Sequence, residues 1–324
     1  MWNKKTQRRG LFLAAITLGT VVEVGPPIGA GSSSFAQPLK PVSSQTAPPT
    51  GSIHMSSEEA QALVKLTLQT ELNAAQDLSH PMQYRLRKMS PRFSTTKLIV
   101  ETKDGDVARL VAINDGPLSS MDQQNEENRL HGLLNDPNLQ RHRQEREQGD
   151  TERVRKVLRA LPDAFQYTFT GIVDTPQGQS YRLSFLPNPK FDPQDLESQV
   201  LKGMAGEMWI DVTQKRVTRL EGKRIHDVDY GWGILGKLDQ GGTLLLEQAD
   251  IGNHQWRTTR MVLVMNARVL LKVIKLDTTL ELSQFSSVNN GMNYKEAIQM
   301  LLSLDNSSSK SQSVAGSSGS GLSK

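Results

Sequence analysis

The residue types that do chemistry are thinly spread in this chain. Its six histidines are His54, His80, His131, His142, His226 and His254, and none sits in a metal-binding spacing such as H-E-x-x-H. Glu127 and His131 fall four apart on a predicted helix. That spacing suits a shared cation, and equally an ordinary surface pair. His226, Asp227 and Asp229 cluster after a predicted strand. They could act as a base with its orienter or take a divalent ion, and the plainer reading is a polar strand end. The chain has no cysteine, which removes thiol catalysis, disulfides, thiolate zinc sites and a lipid-modified N-terminal Cys. It has neither a G-x-S-x-G elbow nor a G-x-x-x-x-G-K-[ST] phosphate loop. The sequence therefore assigns no catalytic, cofactor-binding or metal-ligating residue, and reads as non-enzymatic.

One segment suggests binding rather than catalysis. Tyr230 to Gly242 places Trp232, Ile234, Leu235 and Leu238 among five glycines. Glycine frees the backbone, so these four side chains form a candidate apolar lid or ligand contact. The alternative is a bent strand at a sheet corner. Methionines are a second sign: Met204, Met208, Met261, Met265, Met292 and Met300 all lie in the second half, and Met suits adaptable apolar surfaces.

The elements that would position these residues follow from pattern. Residues 1–36 read as a secretory signal, with Lys4-Lys5 and Arg8-Arg9 ahead of an apolar run and a small-residue cleavage site ending at Ala36. This leader carries most of the formal net charge of +4. The remaining chain is nearly neutral and lacks the basic footprint of a nucleic-acid binder. Residues 37–55 are a Pro/Ser-rich linker and 306–324 a Ser/Gly tail, both expected to be disordered. Between them, residues 56–305 are expected to form one domain.

That domain opens with a capped helix: Ser56 and Glu59 make a capping box, and the helix is expected to end near Asp77. Three strands follow, with a hairpin at Asp104-Gly105. A helical insertion over 119–160 starts at a Ser120/Gln123 box, carries the charged run Gln140 to Arg153, and ends at Pro162-Asp163. A strand pair, a Pro187-Asn188-Pro189 corner and a short helix within Gln194 to Met204 lead into a long meander. There Met208 and Ile210 alternate with Glu207, Trp209 and Asp211, and Trp256, Thr258, Arg260, Val262 and Val264 alternate with Arg257, Thr259, Met261, Leu263 and Met265. Such period-two runs mark strands with one buried face. Gln214-Lys215 and Asn266-Ala267-Arg268 are expected turns, and Tyr294 to Leu304 a closing helix.

The hairpin GEMWIDVTQKRVTRLEG, the Phe185-Leu186-Pro187-Asn188-Pro189 corner before it and the strands Thr243 to Gln248, Gln255 to Met265 and Val269 to Leu282 resemble the periplasmic lipoprotein-carrier superfamily (LolA/LolB-like). The resemblance covers about residues 57–288. It implies an α+β, mainly β fold: a strongly curved antiparallel sheet, an incomplete β-barrel, wrapped around helices. It also implies an exported, periplasmic binding protein that carries lipid or an acylated protein on an apolar concave face. The alternative is an envelope sensor or interaction module that binds another protein and carries no lipid, with Gln140 to Arg153 as candidate contact. Neither reading calls for a cofactor, nucleic acid or a transmembrane segment in the mature chain.

Overall fold

The computed structural model describes residues 54–230, 236–269 and 272–315. The expected signal segment and all of the linker but His54 and Met55 lie outside the described residues, as does the tail after Ala315. Helix α1 (Ser57–Ala74) precedes strands β1 (Met82–Ser90), β2 (Phe93–Val100), β3 (Val107–Ile113) and β4 (Gly116–Pro117). Helices α2 (Ser120–Asn135) and α3 (Pro137–Ala164) lead to β5 (Phe165–Thr175), β6 (Gly178–Pro187) and a 3-10 turn at Ser198–Leu201. Then come β7 (Met204–Asp211), β8 (Val217–Arg224), β9 (Val228–Tyr230), β10 (Gly236–Leu238), β11 (Thr243–Asp250), β12 (Trp256–Val269), β13 (Lys272–Ser287) and α4 (Tyr294–Ala315).

The described strands form one antiparallel sheet in the order β4-β3-β2-β1-β13-β12-β11-β8-β7-β6-β5, with the β9–β10 hairpin joined to β12 past the end of β11. The sheet is not closed, since β4 and β5 are its two edges. This order explains the helical region. A chain leaving β4 must cross a face of the sheet to enter β5. The 28 residues of α3 reach about 42 Å at 1.5 Å per residue. That is enough for the chord of a curved sheet about 48 Å wide across its eleven-strand path. The segment 119–160 is thus the bridge between the edges rather than an insertion.

Alternate residues divide the packing. Val64 and Leu68 of α1, Val154, Val157 and Leu161 of α3 and the inward residues of β5 to β12 form the main core. At the other end, Val100 and Val107 meet Leu130 and Leu133 of α2 and Ile298 and Leu301 of α4. Ile99, one residue out of phase with Val100, instead joins Tyr84 and Leu282. Helices α1 and α3 therefore lie within the curve, and α2 and α4 cover the β2–β3 end. There α2 also protects an edge: Glu126 accepts from the Leu110 backbone N–H at 2.7 Å and Arg129 donates to the Ala108 carbonyl at 2.5 Å.

Several boundaries differ from expectation for identifiable reasons. Helix α2 is capped by Ser119, which accepts from Asp122 N, rather than by a Ser120/Gln123 box. Helix α3 passes through Pro162 to Ala164. Its last four carbonyls all find donors: Tyr167 Oη on Leu161, Gln61 on Pro162, and the side chain and backbone of Asn188 on Asp163 and Ala164. The Pro187-Asn188-Pro189 corner is therefore the cap of α3. The helix expected within Gln194 to Met204 is only a 3-10 turn. Asn266-Ala267-Arg268 is strand, not turn, because Ala267 pairs with Ile274 on one side and Leu238 on the other. Helix α4 continues over 305–315, the start of the expected tail, where no Gly or Pro interrupts it before residue 316. The capping box of Ser56 and Glu59 is as expected, though α1 ends at Ala74.

Candidate functional site

Two cavities open between the sheet and its inner helices, and they are chemically opposite. The first, about 50 Å³, is an apolar slot. Val157 and Leu161 of α3 form one wall, Val200 and Leu201 of the 3-10 turn another, and Leu263 and Met265 of β12 the sheet side. Glycine makes the space: a Cβ at Gly222 would stand 2.6 Å from Met204 Cε, and one at Gly242 3.1 Å from the Val264 carbonyl oxygen. Gly222 sits directly across from Gly206, where a Cβ would fall 1.9 Å from the Glu221 carbonyl oxygen. The strands approach closely there because neither residue has a side chain. Arg224 is buried beside the slot and donates to the Val200 and Lys202 carbonyls at 3.3 and 3.2 Å. It ties the 3-10 turn to the sheet. Leu244, half-buried and paired with Leu263, shares the buried face and lines the slot. Val264, 40% exposed, lies on the alternate face and borders it through its backbone carbonyl. Such a slot offers dispersion contacts and apolar burial.

The second cavity, about 70 Å³, is a polar chamber under the end of α1. Its centre is the buried pair Glu71–Arg216. The guanidinium donates twice to the carboxylate, at 2.9 and 2.8 Å, and Glu71 also accepts from the Val217 backbone at 2.9 Å. The same guanidinium lies 6.0 Å from the Trp256 ring centroid. Tyr84, Thr258, Leu282 and Phe285 complete the sheet side. Two bulges create this wall. In β13, Gln284 (φ 55°) is an extra residue opposite Tyr84. In β12, Thr259 is extra between the Glu247–Arg260 and Gln248–Thr258 pairs. The second bulge overturns the expected alternation, since Trp256 and Thr258 are buried on the same face as Met261, Leu263 and Met265. Burial, reinforced by nearby carboxylates, pushes the Tyr84 hydroxyl well above the usual tyrosine range, so it remains a donor. At the rim, hydrogen bonds from Ser79 hold Asp77 below the ordinary aspartate range.

The candidate lid is only partly placed. Trp232, Ile234 and Leu235 lie outside the described residues. Leu238 is 1% exposed, on β10, and belongs to the main core opposite Ala267. His131 is exposed. Asp227 caps a turn, accepting from Lys237 at 2.7 Å and from the Gln240 backbone at 2.7 Å, which keeps its carboxyl low. Among the described residues, no three His, Asp or Glu side chains converge as a metal site requires. The charged run of α3 is partly consumed inside the fold. Gln140 and Arg143 donate to the carbonyls of Asp104 and Asp106, and Glu147 accepts from Asp106 N. It pins the β2–β3 turn, a contact between residues nearly forty positions apart that no periodicity foretells. Sequence reasoning also missed the Glu71–Arg216 pair; a Glu on the apolar face of α1 was its only signal.

Among the described residues, no helix is long and apolar enough to cross a membrane, which leaves strands unaddressed. No protein-family model matches the sequence, and no curated protein does. Similar solved structures include two of low sequence identity. One, named as an outer membrane lipoprotein-sorting protein domain from Vibrio parahaemolyticus, is 9% identical, with a TM-score of 0.31 over 74% of this chain and 95% of that one. The other, a DUF1329 family protein from Desulfovibrio piger, is 10% identical, with a TM-score of 0.28 over 72% of this chain and 95% of that one.

Proposed function

We propose that this is a non-enzymatic, exported binding protein whose apolar slot takes the end of an acyl chain presented by a lipid or an acylated protein. The observation that carries the reading is the slot itself: two glycines hold open a space walled by Val, Leu and Met, with the half-buried Leu244 on its wall. Its size sets the mode. Pockets that enclose a whole ligand span roughly 300–1,000 Å³, so about 50 Å³ receives a chain terminus. Swinging α3 away to admit more is costly. Exposing Val154, Val157, Leu158 and Leu161, all buried, costs about 1.5–3 kcal/mol each, together comparable to the whole stability of a domain. The 3-10 turn, held chiefly by Val200, Leu201 and the Arg224 hydrogen bonds, is the cheaper wall to move.

Lipid mass spectrometry on an organic extract of purified residues 37–324 tests this. A stoichiometric acyl species that vanishes in Leu244→Asp is the expected result. A clean extract, with no thermal stabilisation by added acylated peptide, contradicts it.

The second reading, an interaction module that carries no lipid, draws on a different observation. Helices α1 and α3 fill the concave face with side chains that are almost wholly buried. A permanently filled sheet presents its outer surface and exposed helix faces to a protein partner.

A further inference from the structure

The polar chamber contains two hydroxyls that the fold does not use. Tyr84 is 2% exposed and Thr258 4%. Both line the cavity, and neither Tyr84 Oη nor Thr258 Oγ1 has a hydrogen-bond partner. Buried polar groups are nearly always satisfied, so two orphans facing one space call for a ligand or ordered water. The amide of Gln248, opposite Thr258 across β11 and β12, is likewise unpartnered, as is Thr67 Oγ1, one turn before Glu71 on α1.

The charged groups around them are engaged. Glu71 is matched by Arg216, and Glu101 accepts from the Met82 backbone at 2.9 Å. Arg257 donates to the Trp256 and His80 carbonyls at 3.1 and 3.2 Å. With carboxylates and guanidinium groups both bound to protein, the chamber asks for no net charge. Its free capacity is two hydroxyls that each donate and accept. Between and beside them stand the carbon surfaces of Trp256, Leu282, Phe285 and Ala74. A ligand suited to this wall alternates hydroxyl groups with C–H faces.

We infer that the chamber under α1 is a binding site for a small neutral polyol, a glycerol unit or the hydroxylated edge of a sugar ring, held by Tyr84 Oη and Thr258 Oγ1. The cavity of about 70 Å³ holds several water-sized groups by the one-water measure of roughly 10–15 Å³, which matches a three-carbon polyol. A sugar ring enters edge-first and leaves its remainder at the rim beside Asp77. The site is separate from the apolar slot, and neither assignment depends on the other.

Saturation-transfer NMR on the purified protein, with glycerol and glucose as separate probes, tests the assignment. The expected result is saturable transfer to at least one probe, weakened more than tenfold in both Tyr84→Phe and Thr258→Val. Thr258→Ser, which keeps the hydroxyl, retains the signal. Transfer from glycerol alone identifies a small free polyol, and transfer from glucose as well identifies a sugar edge. Near-UV circular dichroism of each variant verifies that the fold is intact. Tyr84→Phe retains the ring that lies 5.4 Å from Phe285. Transfer unchanged by both hydroxyl deletions, or no transfer from either probe, overturns the assignment and leaves the orphans to ordered water.

Discussion

The slot lies against α3 and the chamber under the end of α1; the two are similar in volume and are made by opposite means. The slot exists because side chains are missing at Gly222 and Gly242. The chamber exists because extra residues, Thr259 and Gln284, turn their strands and gather polar groups on an otherwise apolar face. Deleting side chains leaves a surface that attracts only carbon. Bulging a strand instead re-aims side chains and ends regular pairing. A single curved sheet thus carries an adaptable apolar site beside a specific polar one, and the two should respond differently to mutation.

The largest effect is expected at the centre of the chamber. Arg216→Ala strands the buried Glu71 carboxylate and should cost about 3–5 kcal/mol in urea unfolding. Glu71→Gln with Arg216→Met, which removes both charges, should cost clearly less than the single change. If the two cost the same, the pair is not a buried electrostatic unit. Next comes the close approach behind the slot. Gly206→Ala places a methyl 1.9 Å from the Glu221 carbonyl oxygen and should destabilise by about 1–3 kcal/mol, as overpacking does. Thermal melts at the normal and mutant position decide this, and an unchanged melting temperature would mean that β7 and β8 separate freely.

Tyr84→Phe should act in the reverse direction. Removing an unsatisfied buried hydroxyl should raise the stability of the unliganded protein by up to about 1 kcal/mol, or some 2–4 °C for a domain of this size. A loss of stability would mean that the hydroxyl has a partner. Leu244→Asp, on the half-buried wall of the slot, should cost about 1 kcal/mol while weakening acyl binding at least tenfold. The smallest effect concerns pH. The Asp77 carboxyl is held low mainly by Ser79. The stability it contributes is therefore complete above the ordinary aspartate range and is lost as pH falls through its lowered value. Ser79→Ala should flatten that acid limb of the stability profile.

Much of the fold was legible, and the unread parts share a cause. The capping box at Ser56, the hairpin turns at Asp104-Gly105 and Gln214-Lys215 and the alternation of Met208 and Ile210 are local patterns. They hold wherever strand or helix continues undisturbed. The face of β12 was misread because a single extra residue, Thr259, inverts everything beyond it. Nothing in Arg257-Thr258-Thr259-Arg260 announces a bulge. Passage of α3 through Pro162 was hidden because its caps come from Gln61, Tyr167 and Asn188, distant in sequence or beyond the break. The slot was half visible, since Met204, Met265 and Gly242 stood out, but Gly222 did not, and their meeting depends on the strand order. The chamber was invisible: Glu71 and Arg216 are 145 positions apart.

One titration bears most directly on the central claim, that the slot receives an apolar chain. A fluorescent dodecanoyl probe would be titrated into residues 37–324, Leu244→Asp and Tyr84→Phe under identical conditions. The account predicts saturable binding by the parent, affinity at least tenfold weaker in Leu244→Asp, and no change in Tyr84→Phe. No saturable binding by the parent, or an equal loss in both variants, would contradict it.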